Sequence, residues 1–128
     1  MAYTENPQSR VLNFLKVVFE VYILGRVVKA TQVLPASASN ATTLDCSKGD
    51  VWTYTVTEDT TITPINLAPG QRVTLIVQAT ATSRTLTFGS PFKKTGTLVT
   101  GTASALFVIE FVSDGTNLCE SNRTAALS

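Results

Sequence analysis

Short stretches in which apolar and polar residues alternate run from about Thr43 to Arg123, broken by turn residues roughly every eight to twelve positions. Val51–Thr57 sets Trp52, Tyr54 and Val56 against Thr53, Thr55 and Thr57, the pattern of a half-buried strand with a threonine ladder on its outer face. Val73, Leu75 and Val77 alternate in the same way within Gln71–Ala79, and Phe107, Ile109 and Phe111 share one face of Ala105–Val112. Thr43–Ser47, Thr60–Ile65, Arg84–Phe88 and Asn117–Ser121 read as further strands. Between them lie Lys48-Gly49-Asp50, Glu58-Asp59, Leu67-Ala68-Pro69-Gly70 and Ser113-Asp114-Gly115-Thr116, all built from residues that favour turns. Short alternating strands at this spacing predict a mainly β fold, specifically a small antiparallel β-sandwich of jelly-roll type.

Residues 1–30 have a different pattern. Asn6-Pro7 suits a helix cap followed by proline at the first helical position, and Gly25 suits a helix end. Asn13, Lys16 and Glu20 draw one narrow polar stripe, which predicts an N-terminal α-helix over Gln8–Leu24 even though Val17–Ile23 is rich in strand formers. Most of that helix's circumference is apolar and has to be buried. It packs either on its own β-domain or against copies of itself or another subunit, the second being favoured because a helix apolar nearly all round suits a bundle. Leu12, Leu15, Phe19 and Tyr22 are the candidate subunit-interface residues, since their 3-4-3 spacing fits a helical trimer seam. The expected organisation is an anchor or oligomerisation segment over 1–30, a connector over 31–42, a β-domain over 43–123 and a tail over 124–128.

Charge and chemistry narrow the function. Ten basic and nine acidic residues in 128 give a formal charge of +1, and only Lys93-Lys94 are adjacent among the basic ones. Nucleic-acid binding needs clustered Lys and Arg, so no nucleic-acid partner is expected. The apolar run Val11–Leu24 is interrupted by Asn13, Lys16 and Glu20 and is shorter than a bilayer span, so no membrane partner is expected either. There is no His, no Cys–His pair and no Gly-rich phosphate loop, so the chain reads as a non-enzyme without catalytic residues, metal or cofactor. Asp45 with Asp50, Glu58 with Asp59, and Asp114 all stand beside turns, where carboxylates satisfy backbone N–H groups. Trp52 is expected in the core. Cys46 and Cys119 are either a pair on neighbouring strands or two small apolar residues, the latter being favoured.

Four blocks in order carry a resemblance: Thr43-Leu44-Asp45-Cys46-Ser47-Lys48-Gly49-Asp50, Thr55-Val56-Thr57-Glu58-Asp59-Thr60-Thr61-Ile62, Pro69-Gly70-Gln71-Arg72-Val73-Thr74-Leu75 and Phe111-Val112-Ser113-Asp114-Gly115-Thr116-Asn117. Together they resemble a β-domain of tailed-bacteriophage structural proteins, found in capsid-decoration, head-fibre and tail-fibre proteins. The resemblance spans about Thr43–Arg123, and Asn122-Arg123-Thr124-Ala125-Ala126-Leu127 resembles the end of such proteins. Where those domains often carry aromatic residues after the turn, this chain has Leu118 and Cys119. The resemblance implies a virion structural protein made in the host bacterial cytoplasm and carried on the particle surface. It implies a homotrimer contacting other virion proteins such as the major capsid protein. The absence of a long fibre segment favours a capsid-decoration or head-fibre subunit. The alternative is a tail-associated module binding a host surface glycan or protein.

Overall fold

The computed structural model describes residues 30–94 and 96–128. Ten strands are found there: β1 (Gln32–Val33), β2 (Ala41–Asp45), β3 (Val51–Val56), β4 (Thr60–Ile65), β5 (Arg72–Ala79), β6 (Thr85–Phe88), β7 (Phe92–Lys93), β8 (Leu98–Val99), β9 (Leu106–Ser113) and β10 (Leu118–Arg123). They form two sheets, ordered β1-β3-β5-β9-β10-β7 and β2-β4-β6-β8. Up to β6 the chain alternates between the sheets strand by strand, so each strand pairs with the next but one and runs parallel to it. The result is a solenoid-like coil, with Gln32 opposite Trp52 and Ala41 opposite Thr61, twenty residues further on in each case.

The antiparallel jelly-roll β-sandwich preceded by a helix is therefore corrected. The β1-β3-β5 and β2-β4-β6 stacks are parallel, antiparallel pairing between the ten strands occurs at β5-β9, β9-β10 and β6-β8, and the described residues contain no helix. The physical reason lies in the short links. Thr57–Asp59, between β3 and β4, does not fold β4 back beside β3 but carries the chain across to the other sheet. Period-two alternation is satisfied equally by both routes, because the inner face stays inner. The helix expected over Gln8–Leu24 lies outside the described residues, as do Leu12, Leu15, Phe19 and Tyr22.

The facing sides of the sheets make one core. Trp52, Tyr54 and Val56 of β3, Val73, Leu75 and Val77 of β5 and Phe107, Ile109 and Phe111 of β9 meet Leu44, Ile62, Leu86 and Phe88 from the other sheet. Trp52 is 3% exposed and its indole N–H donates to the Gly49 carbonyl at 3.2 Å, so its one polar atom is satisfied. Thr60 is buried too, its hydroxyl 3.0 Å from Tyr54 Oη. Residues 31–42 belong to the body: Leu34 is in the core, its N–H donates to Thr53 at 2.8 Å, and Thr42 Oγ1 donates to Pro35 at 2.7 Å. The C-terminal stretch is tied down by reciprocal N–H···O bonds between Leu127 and Leu106, at 2.8 and 2.9 Å.

Candidate functional site

Two features of the described body stand out as places for a partner. The first is a cleft. The turn Cys46–Asp50 and the turn Asn66–Gln71 stack, and with Arg72 they line an open hollow of about 810 Å³. Gln71 fastens its floor, donating from Nε2 to the Cys46 carbonyl at 2.7 Å and to Asp50 Oδ1 at 2.9 Å. Its Oε1 is buried and accepts nothing among the described residues. Lys48 and Arg72 stand on the rim and are exposed. Such a hollow can hold a small polar or anionic group.

The second feature is an edge. Asn40 C=O accepts from Thr61 N–H at 2.9 Å and Cys46 N–H donates to Ile65 C=O at 3.0 Å. In a parallel ladder alternate residues bond to one neighbour, so the even residues of β2 face β4. The N–H and C=O of Thr43 and the N–H of Asp45 then point away from the sheet, with no strand beside them among the described residues. In the other sheet β1 covers β3 only as far as Thr53, so Thr55 has no strand beside it among the described residues. Val33, on β1, is 76% exposed. The far sides of β5 and β6, by contrast, are closed by β9 and β8.

The carboxylates singled out in the sequence are engaged in turns. Asp45 Oδ1 accepts from the Ser47 hydroxyl (2.6 Å), the Ser47 N–H (3.1 Å) and Asn66 Nδ2 (2.9 Å). The Ser47 hydroxyl, then Asn66, hold this acid below the ordinary carboxylate range. Asp59 Oδ1 accepts from Thr85 N–H at 2.8 Å, binding one coil to the next. Asp114 accepts from the N–H groups of Asn117 (2.6 Å) and Thr116 (2.8 Å) and from Asn117 Nδ2 (3.0 Å). These bonds, those from Asn117 first, lower its pKa to about 2 from 3.8. The folded-state pKa is depressed, so the turn's stabilisation is complete above the unfolded value and is lost as pH falls through about 2. Amide exchange at Asn117 is expected to accelerate only below pH 4, towards about 2; in Asp114→Ala it is already fast at pH 6. This turn also explains Gly115, whose φ is +94° and whose absent Cβ leaves room for Pro69, 2.8 Å from where that atom would stand.

Cys46 and Cys119 are free thiols. Burial, then the Asp45 and Asp50 charges, push the Cys46 thiol up to about 11. Since the thiolate is the reactive form, an aromatic disulfide reagent at pH 8 is expected to label the partly exposed Cys119 in the native protein and to reach Cys46 only after unfolding. Equal rates at both positions would contradict the burial of Cys46. Among the described residues no group of three or more His, Cys, Asp and Glu can hold a metal ion, and no helix is long and apolar enough to cross a membrane.

Sequence reasoning missed Gln71 and the edge formed by Val33, Thr43 and Thr55. Gln71 was legible only as the residue after a Pro-Gly turn, and an edge has no signature in one sequence because it depends on which strand pairs with which. Compared with models of known protein families and with curated proteins, the chain matches none.

Proposed function

We propose that the chain is a structural subunit of a tailed-phage particle, a capsid-decoration or head-fibre protein held to the particle at its N-terminal end and displaying the β-body outward. The observation that carries this reading is the asymmetry of the body. The far side of the parallel stack is covered by β8 and β9, while the near side, beside Ala30 where residues 1–29 join, has no strand against it among the described residues. A bare edge offers backbone partners to another strand. The charge-poor, Thr-rich strands and the resemblance of the four turn blocks support the same reading. Carboxylates tied into turns support a role without catalysis. Copies of the chain, as a trimer, and the major capsid protein are the proposed partners.

The cleft of Lys48, Gln71 and Arg72 favours a second reading, a tail-tip module that binds an acidic or polyhydroxylated host surface group. Location separates the two. A copy bearing a C-terminal epitope tag is expressed in the host during particle production, and purified particles are labelled with gold. Gold on heads is expected; gold on tail tips supports the second reading, and particles free of gold overturn both.

A further inference from the structure

The cleft between the turns 46–50 and 66–71 offers cations at its rim, while its floor is short of one donor. Gln71 Nε2 donates to the Cys46 carbonyl and to Asp50 Oδ1. Both partners are acceptors, so the amide cannot be turned round and Oε1 is the atom left over. That oxygen is buried and meets no donor among the described residues, a state that costs free energy until a donor reaches it. Lys48 and Arg72 are exposed at the rim and have no ion-pair partner among the described residues. Ala68 and Pro69 add an apolar wall. The two turns are fastened before any ligand arrives. Asn66 Nδ2 donates to Asp45 Oδ1 at 2.9 Å, Gly70 N–H to the Ser113 carbonyl at 2.8 Å and Thr74 N–H to the Asp50 carbonyl at 2.7 Å. A hollow held in this way loses little affinity to ordering.

We propose that this cleft binds a carboxylated sugar unit, its acid group on Lys48 and Arg72 and one of its hydroxyls donating to Gln71 Oε1. At about 810 Å³ the hollow lies within the ordinary range of small-molecule sites, roughly 300–1,000 Å³. A bare inorganic anion satisfies the rim and leaves the acceptor of the floor orphaned. A neutral sugar satisfies the floor and leaves both cations unpaired. A ring that carries hydroxyls and a carboxylate answers both, with its C–H edges against Ala68 and Pro69. No aromatic ring lines the cleft among the described residues, so affinity comes mainly from charge-assisted bonds and a Kd on the order of 1 mM is expected. The source of the unit, a host surface polysaccharide, rests on the tail-tip reading; the site itself does not.

Titrating the isotope-labelled full chain with sodium glucuronate, and following its backbone amide resonances, tests the site. Shifts are expected at residues 46–50 and 66–72, saturating in the millimolar range and fading as salt is added. Cyclohexanecarboxylate keeps the acid without the hydroxyls, and methyl glucoside keeps the hydroxyls without the acid. Each is expected to bind about tenfold more weakly, as is inorganic phosphate. Lys48→Gln with Arg72→Gln changes two exposed side chains, so the double variant is expected to keep its melting temperature and lose the response to glucuronate. Phosphate or cyclohexanecarboxylate binding as well as glucuronate would make the cleft a plain anion site and overturn the proposal. Shifts that survive in the double variant, or no shift at all, would overturn it too. The tail-tip reading fails separately. Gold on heads with saturable glucuronate shifts discards that location and keeps the site, whereas gold on tail tips without shifts keeps the location and discards the site.

Discussion

Replacing Phe111 by Ala is expected to cost about 3–5 kcal/mol, the range for truncating a buried aromatic residue. Phe111 lies on β9, 1% exposed, with its ring centroid 5.8 Å from that of Phe88 and 4.9 Å from that of Phe92. Phe88 and Phe92 meet edge to face at 5.1 Å. Phe88 belongs to the smaller sheet and the other two to the larger, so the trio joins the layers at the end of the core where β7 and β10 pack. Such ring contacts add about 0.5–1.5 kcal/mol beyond burial, and a domain of this size has only about 5–15 kcal/mol in total. A fall in Tm on the order of 10–20 °C is expected, read by circular dichroism and by the fluorescence of buried Trp52. A shift of only a few degrees would show that the two sheets are not joined there.

The second large effect is expected from Arg123→Met, about 2–3 kcal/mol, because one half-buried guanidinium makes several charge-assisted hydrogen bonds. Arg123 Nε lies 2.7 Å from Glu120 Oε1 and Nη2 3.1 Å from Oε2, while the Glu120 side chain is only 5% exposed. The same guanidinium donates to the carbonyls of Thr97 and Gly96, at 2.8 and 3.2 Å, and its Cζ stands 5.5 Å from the centre of the Phe88 ring. Its loss removes both bonds to Glu120 and those to the Gly96 and Thr97 carbonyls at once. Urea unfolding of R123M, E120Q and the double variant measures the coupling, and the double variant is expected to be more stable than R123M alone. Strictly additive losses would show that the pair is not coupled.

This ion pair also shows where sequence reasoning stops. Residues 120 and 123 fall on opposite faces of a regular strand, so nothing in the sequence joins them. The irregularity between Glu120 and Asn122 shifts the register of β10 against β9 and brings both to one side. The strands themselves were legible: Val51–Val56, Arg72–Ala79 and Leu106–Ser113 follow the alternation closely, and the buried residues are the ones that alternation places inward. Pairing was not legible. Glu58-Asp59 has the composition of a hairpin turn and nothing local distinguishes it from a corner between sheets, so a parallel coil was read as an antiparallel sandwich. The edge at Thr43 and the cleft floored by Gln71 are consequences of that pairing. They became visible only with it.

Contacts between backbone protons test the parallel coil most directly. In isotope-labelled full chain, nuclear Overhauser effects are expected between β3 and β5 in parallel register, with Thr53 beside Ile76 and Thr55 beside Gln78, and between β2 and β4 with Thr43 beside Thr63. Strong contacts running instead from β3 back along β4, pairing Val56 with Thr60 and Tyr54 with Ile62 as a hairpin would, contradict the coil and every edge and turn derived from it.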